Sequence, residues 1–205
     1  MSSATASATF KLPPDQASPT FEHISGDGAD WLYGGVGNDT LWGGRDEGRL
    51  FGGDGNDRLY GYNNHDSLIG GAGNDYMSGG NGDDHCDGED GNDGIEGAEG
   101  TDRIYSGEGG DTIVFREASH SAVGAARDVI HDFDTQYDTI QLYEMFDFMV
   151  SIPFWNGTSA AAYSVWILAL GNNTLVRADT TGDAVADFEL LLAGTTGVTE
   201  DNFII

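Results

Sequence analysis

A nine-residue repeat runs from Ser25 to Val114 without an insertion or a deletion, ten consecutive copies in fixed register. Gly34 to Trp42 reads GGVGNDTLW, Gly52 to Tyr60 reads GGDGNDRLY, and Gly70 to Ser78 reads GGAGNDYMS. A short fixed period means one small unit stacked on itself, so a solenoid is implied before any propensity is weighed. Positions seven to nine of each unit predict a three-residue strand, with seven and nine facing one way and eight the other. Position eight holds Leu32, Leu41, Leu50, Leu59, Leu68, Met77, Cys86, Ile95, Ile104 and Ile113, none of them charged. That column is the inward face of an all-β fold, a parallel β-roll.

The first six positions carry the chemistry. Glycines at positions one, two and four permit backbone angles that other residues avoid, so the segment can curl into a tight turn. Such a turn points carbonyl oxygens inward, and position six is an acid in nine of the ten copies. An all-oxygen cage with several flexible ligands suits calcium better than magnesium, zinc or copper. One Cys and five scattered His, without an H-x-x-x-H pairing, argue further against zinc.

These units resemble the glycine- and aspartate-rich nonapeptides of the RTX proteins. The resemblance implies a right-handed parallel β-roll in which two units form one coil, so ten repeats make five coils. At a strand spacing of about 4.8 Å such a roll is roughly 20–25 Å long. It also implies calcium between units n and n+2, held by carbonyls of the first four positions and by the position-six aspartates. Carried over residue by residue, that ligand set is Gly34, Gly35, Val36, Gly37 and Asp39, then Gly52, Gly53, Asp54, Gly55 and Asp57. It continues with Asp66, with Gly70, Gly71, Ala72, Gly73 and Asp75, and with Gly79, Gly80, Asn81, Gly82 and Asp84. Gly88, Asp90, Gly91 and Asp93, then Gly97, Glu99, Gly100 and Asp102, and finally Gly107, Gly109 and Asp111 complete it.

The even-numbered turns hold Asp39, Asp57, Asp75, Asp93 and Asp111, a complete column. The odd-numbered turns hold Asp30, Gly48, Asp66, Asp84 and Asp102, and unit three is therefore broken. Unit five keeps Asp66 but has Tyr62 and Asn64 where glycine is expected. Calcium is expected along the even edge and at the turns of units seven and nine, with the sites of unit three empty or weak. Arg45 and Arg49 are expected to stand in partly for the cation missing there.

A roll with one inward side chain per nine residues has a thin core to set against backbone entropy. Ser25 to Val114 adds self-repulsion, with twenty acids against four arginines. Bound cations offset both deficits, so folding is expected to be coupled to calcium. Extracellular modules bind calcium at about 0.1–1 mM, which would leave such a chain unfolded inside a cell and folded outside. Over the whole chain 35 acids oppose 8 basic residues, a net charge of −27, which argues against nucleic acid and anionic membrane surfaces as partners. Cys86 sits in an inward slot and reads as a packed apolar residue.

The N-terminal residues 1–24, rich in Ser, Ala, Thr and Pro, read as a leader or linker, with Phe10, Leu12 and Phe21 available to pack on the first coil. They contain no basic stretch followed by an apolar core, so export is expected by a route without an N-terminal signal. The longest apolar stretch, Ala160 to Leu170, is too short to span a bilayer.

The roll is placed at residues 25–115 and a β-rich cap at 116–205. Within the cap, Asp128 to Phe133, Thr139 to Leu142, a hairpin over Ser164 to Ala178, Asp187 to Ala193 and Asn202 to Ile205 read as strands, and Glu144 to Met149 as a short helix. DVIHDFDTQYDTIQL, TLVRADTTGDAVADFELLLAG and the terminal DNFII are similar to the C-terminal segment of serralysin-type secreted metalloproteases. That resemblance implies an uncleaved signal for the type I secretion machinery, with Glu200, Asp201, Phe203, Ile204 and Ile205 as the matching residues. No H-E-x-x-H helix is present, so the zinc protease domain is missing from this chain. The first half of the cap also resembles roll modules attached to mannuronan epimerases.

Asp179, Thr181, Asp183 and Asp187 alternate as in an EF-hand loop, but Ala184 and Leu190 replace its glycine and terminal acid, so a hydrogen-bonded turn is expected. Asp128, Asp132 and Asp138 are candidates for one further calcium at the junction. Ser119-His120-Ser121 lacks a nucleophile elbow, and His131 lies in a strand, so no catalytic constellation is read. The leading expectation is a calcium-folded export module serving itself or an attached domain. The alternatives are a polysaccharide-binding module using Trp31, Tyr33, Trp42, Phe51, Tyr60 and Tyr76, and a protein that self-associates at the cell surface.

Overall fold

Apolar side chains at every ninth position can meet only if successive strands fall alternately into two facing sheets. The computed structural model describes residues 9–11, 22–24, 28–142, 154–155 and 163–204. Its strands are β1 (Thr9–Lys11), β2 (Glu22–Ile24), β3 (Trp31–Val36), β4 (Thr40–Gly44), β5 (Arg49–Asp54), β6 (Arg58–Asn63) and β7 (Ser67–Ala72). They continue as β8 (Tyr76–Asn81), β9 (His85–Asp90), β10 (Gly94–Glu99), β11 (Arg103–Tyr105), β12 (Thr112–Phe115), β13 (Asp128–Ile130) and β14 (Thr139–Leu142). The last are β15 (Phe154–Trp155), β16 (Val165–Leu170), β17 (Asn173–Ala178), β18 (Phe188–Leu192) and β19 (Phe203–Ile204).

One sheet runs β1-β3-β5-β7-β9-β11-β13-β18-β17-β16-β15, the other β19-β14-β12-β10-β8-β6-β4-β2. Odd and even units thus feed separate sheets, and every repeat pairs in parallel with the unit eighteen residues away. The register aligns Leu32, Leu50, Leu68, Cys86, Ile104 and Ile130 in one column. Leu41, Leu59, Met77, Ile95, Ile113 and Ile140 form the other. All of these are buried and belong to one core, so the predicted inward column is the core of the roll.

The strands are longer than the three residues expected. Most span six, because positions one to three of the following unit also pair across turns, as Gly35 does with Gly53 and Val36 with Asp54. The stretch expected as a leader or linker contributes β1 and β2, which pair in parallel with β3 and β4 and so add to the start of the roll. The packing expected of Phe10, Leu12 and Phe21, and the helix expected at Glu144 to Met149, fall outside the described residues and side chains.

The C-terminal part covers the end of the roll by continuing it. β13 and β14 extend both sheets, and β18 and β19 add one further strand to each. Only then does the topology change, to the antiparallel set β16-β17-β18 with the expected hairpin at Leu170 to Asn173. Phe115 and Phe188 meet edge to face, 5.1 Å between ring centres, and tie the two parts into one core. Among the described residues there is no α-helix, only short 3-10 turns at Ala118–Ser121 and Glu200–Asn202, and no helix long and apolar enough to cross a membrane.

Candidate metal centre

The turns stack so closely that each carboxylate at position six reaches the turn before it. Asp57 accepts the backbone N–H of Asp39 at 2.7 Å, Asp75 that of Asp57 at 2.7 Å, Asp93 that of Asp75 at 2.8 Å, and Asp111 that of Asp93 at 2.8 Å. The odd edge repeats the arrangement from Gly48 through Asp66 and Asp84 to Asp102. In every case Oδ1 accepts the bond. The second oxygens, Oδ2 of Asp39, Asp57, Asp66, Asp75, Asp84, Asp93, Asp102, Asp111 and Asp128, are buried and have no hydrogen-bond partner.

Those oxygens have company. A Cβ added at Gly34 would lie 2.8 Å from Oδ2 of Asp39 and 2.5 Å from the Gly52 carbonyl oxygen; one added at Gly52 would meet Asp57 Oδ2 and the Gly70 oxygen, both at 2.5 Å. Position one is therefore where a carboxylate oxygen and a carbonyl of the next coil converge, and a side chain there would occupy that space. Position two is restricted differently: Gly53 has φ +113°, and its added Cβ would strike the Gly35 carbonyl. The position-three carbonyls of Asp54, Ala72, Asp90 and Glu99 each accept an N–H from the preceding coil, at 2.7–2.8 Å.

Buried carboxyls with one oxygen orphaned resist ionisation. Burial pushes the carboxyls of Asp57, Asp75, Asp84 and Asp111 up to about 6 and those of Asp66 and Asp93 to about 7. Asp128 rises to about 8 through burial, and Asp102 to about 9 through burial and the neighbouring Asp128. A hard cation reverses that balance by stabilising the charged form. Orphaned carboxylate oxygens, converging carbonyls and no nitrogen or sulfur ligand form a donor set that fits calcium.

Unit three departs as the sequence implies. Gly48 still donates its N–H to Asp66, but it has no carboxylate for the turn below, and the side chain of Asp46 instead accepts the N–H of Gly28 at 2.7 Å. The arginines do not substitute for a cation: Arg45 and Arg49 are both exposed, and Arg49 lies over the Trp31 ring, 4.9 Å from its centre. Unit five keeps Gly61 at position one, and Tyr62 and Asn64 take the glycine places at positions two and four with φ of 80° and 68°.

Of the junction acids, Asp132 and Asp138 come together, each with a carboxylate oxygen 3.1 Å from Ser106 Oγ, while Asp128 stands apart from them. Asp128 accepts the N–H of Asp102 and extends the odd column, while Asp138 accepts that of Asp111 and extends the even one. Asp132 holds the backbone of Ser106 at the even edge. The loop beginning at Asp179 is a hydrogen-bonded turn: its carboxylate accepts from Gly182 at 2.6 Å and Ala184 at 2.7 Å, and Asp187 accepts from Thr180 and Thr181.

A second ladder escaped the sequence reading. Asn38, Asn56, Asn74 and Asn92, at position five of the even units, each accept the backbone N–H of position five one coil later, at 2.8–2.9 Å. Four identical residues spaced eighteen apart were its signal. The aromatic residues at outward positions pair mainly with one another: Tyr33 stacks on Phe51 at 4.7 Å, Trp42 on Tyr60 at 6.2 Å, and Tyr60 meets Tyr76 at 5.9 Å.

Residues 22–205 match the family described as Peptidase M10 serralysin C terminal. Among solved structures, the AlgE6R3 subunit of the mannuronan C5-epimerase from Azotobacter vinelandii is similar at 29% identity, with a TM-score of 0.53 over 69% of this chain and 78% of that one. The AlgE6R2 subunit of the same enzyme is similar at 27% identity, with a TM-score of 0.50 over 69% of this chain and 88% of that one. No curated protein matches the chain.

Proposed function

The chain belongs to the serralysin C-terminal family of peptidase M10, and on that premise we propose a calcium-binding β-roll module whose folding is coupled to extracellular calcium and which supports type I export. The observation that carries this reading is the set of nine buried Oδ2 atoms without a partner, arrayed along two edges of one roll. Asp39, Asp57, Asp75, Asp93 and Asp111 would hold ions along the even edge, with Asp66, Asp84, Asp102 and Asp128 on the odd edge and the position-one carbonyls beside them. Bound calcium would supply the positive charge that lets these carboxylates ionise inside the fold. The chain itself contributes the spacing: Oδ1 of each aspartate is fixed by the neighbouring turn, which aims Oδ2 into the gap.

Far-UV circular dichroism of the purified chain, titrated with calcium from a chelated start, tests the coupling. The expected outcome is a cooperative coil-to-β transition near millimolar calcium that magnesium does not reproduce. A chain fully folded in chelator overturns it. Export is supported by the terminal acid and bulky apolar residues, Glu200 to Ile204, of which Phe203 and Ile204 form β19 beside β14. Replacing Phe203 and Ile204 by Asp is expected to abolish secretion from a host carrying a type I exporter, and undiminished secretion would refute the role.

A second reading, a polysaccharide-binding module, is favoured by the likeness to the epimerase subunits and by Trp31, a residue that remains 39% exposed. Retardation of the calcium-loaded chain in an alginate gel, lost in Trp31→Ala, is its expected signature.

A further inference from the structure

Glu117 opens the 3-10 turn Ala118–Ser121 that the chain makes after β12, and this turn packs against the end of β10. There a carboxylate oxygen of Glu99, one of Glu117 and an imidazole nitrogen of His120 lie within 4.8 Å of one another. The two glutamates are exposed, but His120 is only 8% exposed, and its Nδ1 is buried without a hydrogen-bond partner. The turn that carries it is firmly held: the N–H of His120 donates to the Glu117 carbonyl at 3.1 Å, and Ser121 Oγ donates to the Glu189 carbonyl at 2.6 Å while accepting the N–H of Asp128. Ser119 Oγ bridges the two carboxylates, 3.3 Å from Glu99 and 3.5 Å from Glu117.

We propose that Glu99, Glu117 and His120 form a separate site for a divalent transition metal of the zinc type. Calcium takes oxygen ligands, so the imidazole sets this group apart from the aspartate ladders. One nitrogen and two carboxylate oxygens are a donor set that zinc accepts, with a water in the fourth position. Ligand atoms around a tetrahedral zinc stand about 3.4 Å apart, from bond lengths of about 2.0–2.2 Å. Rotating two exposed glutamates onto a fixed imidazole closes that difference. An ion held by the His120 imidazole and the two carboxylates would pin the turn after the last repeat to the end of β10.

The test uses the full chain saturated with calcium. Zinc titrated against a chromogenic chelator is expected to bind at one ion per chain in the presence of excess calcium. His120→Ala loses that site, Glu117→Gln weakens it at least about tenfold, and Glu47→Gln, in the broken turn of unit three, leaves it unchanged. Cobalt is expected to give the visible absorption of a tetrahedral site in the wild type and in Glu47→Gln, and not in His120→Ala. Should His120→Ala fail to fold with calcium, long-range proton–nitrogen spectra of the wild type decide, since zinc is expected to move the His120 ring nitrogens. Unmoved nitrogens, zinc uptake that survives His120→Ala, or zinc that excess calcium displaces would each overturn the proposal.

Discussion

The even edge and the odd edge of the roll are made from one nine-residue unit, yet they differ in how evenly it is laid down. On the even edge an aspartate ladder and an asparagine ladder run side by side, with Asn38, Asn56, Asn74 and Asn92 at position five. On the odd edge position five is held by Ala29, Glu47, His65, Asp83 and Thr101, and Gly48 breaks the aspartate column. The strands register identically on both sides of that break, Leu32 with Leu50 and Leu50 with Leu68. The backbone path is thus set by strand pairing and the inward apolar column, while the edges decide where charge can be held. A turn can lose its acid and keep its place in the stack.

The sharpest test of that separation is Asp93→Ala set against Glu47→Ala. The first removes the acceptor for the Asp75 N–H from the unbroken edge, and a loss of about 3 kcal/mol in calcium-loaded stability is expected from the stranded donor. Glu47, exposed in the broken turn, is expected to change stability by no more than about 0.5 kcal/mol. Equal losses in calcium-loaded thermal unfolding would erase the distinction between the edges.

The cap provides the next effect. Glu189 is ion-paired to Arg127 at 2.8 Å and to Arg177 at 2.6 Å, and hydrogen bonds from Gly124 and both arginines outweigh burial to hold its carboxyl below the usual range. Glu189→Gln is expected to cost about 2 kcal/mol, the size of charge-assisted bonds lost. Because the folded carboxyl titrates below its unfolded value, its contribution is fully present above that value and disappears as pH falls through the folded one. Melting of wild type and variant should therefore converge as pH falls below the usual carboxylate range, and a gap that does not narrow on acidification would contradict the assignment.

Repairing the odd edge is expected to give a smaller gain. Gly48→Asp restores an acceptor for the turn of unit one, at a position without a positive φ where an added Cβ stands 3.1 Å from Asp66 Oδ1. In excess calcium it should add one bound ion and about 1 kcal/mol, read by ion counting and thermal unfolding. An unchanged ion count would mean that the gap has causes beyond its missing acid. Smallest is Ala98→Gly in the turn of unit nine. Ala98 sits at φ 73°, and relief of left-handed strain, less the entropy a glycine adds to the unfolded chain, predicts a gain of about 0.5 kcal/mol.

The roll, its inward column and the aspartate at position six were legible because each recurs at a period a reader can count. The asparagine ladder escaped although its period was there to be counted, and the rest of what escaped had changed period. Asp128 and Asp138 were readable as junction acids but not as extensions of the two columns, because they stand 26 and 27 residues beyond Asp102 and Asp111 rather than eighteen. β1 and β2 join the stack through backbone pairing, and Thr9–Lys11 and Glu22–Ile24 carry no glycine-aspartate turn to announce it. Glu99, Glu117 and His120 meet only because a 3-10 turn folds back onto β10, a closeness without a sequence spacing of its own.

The alternation of units between two sheets also governs how such a chain can change length. Eighteen residues is one full coil, since each ladder bond links partners eighteen apart. A tandem duplication of eighteen inserts a coil and leaves both ends facing as before. A duplication of nine is half a coil: it hands every later unit to the opposite sheet, threads asparagine turns into the uneven edge, and brings Asp128 under the wrong column. Growth and shrinkage by recombination are therefore quantised, and the step is two repeats, not one.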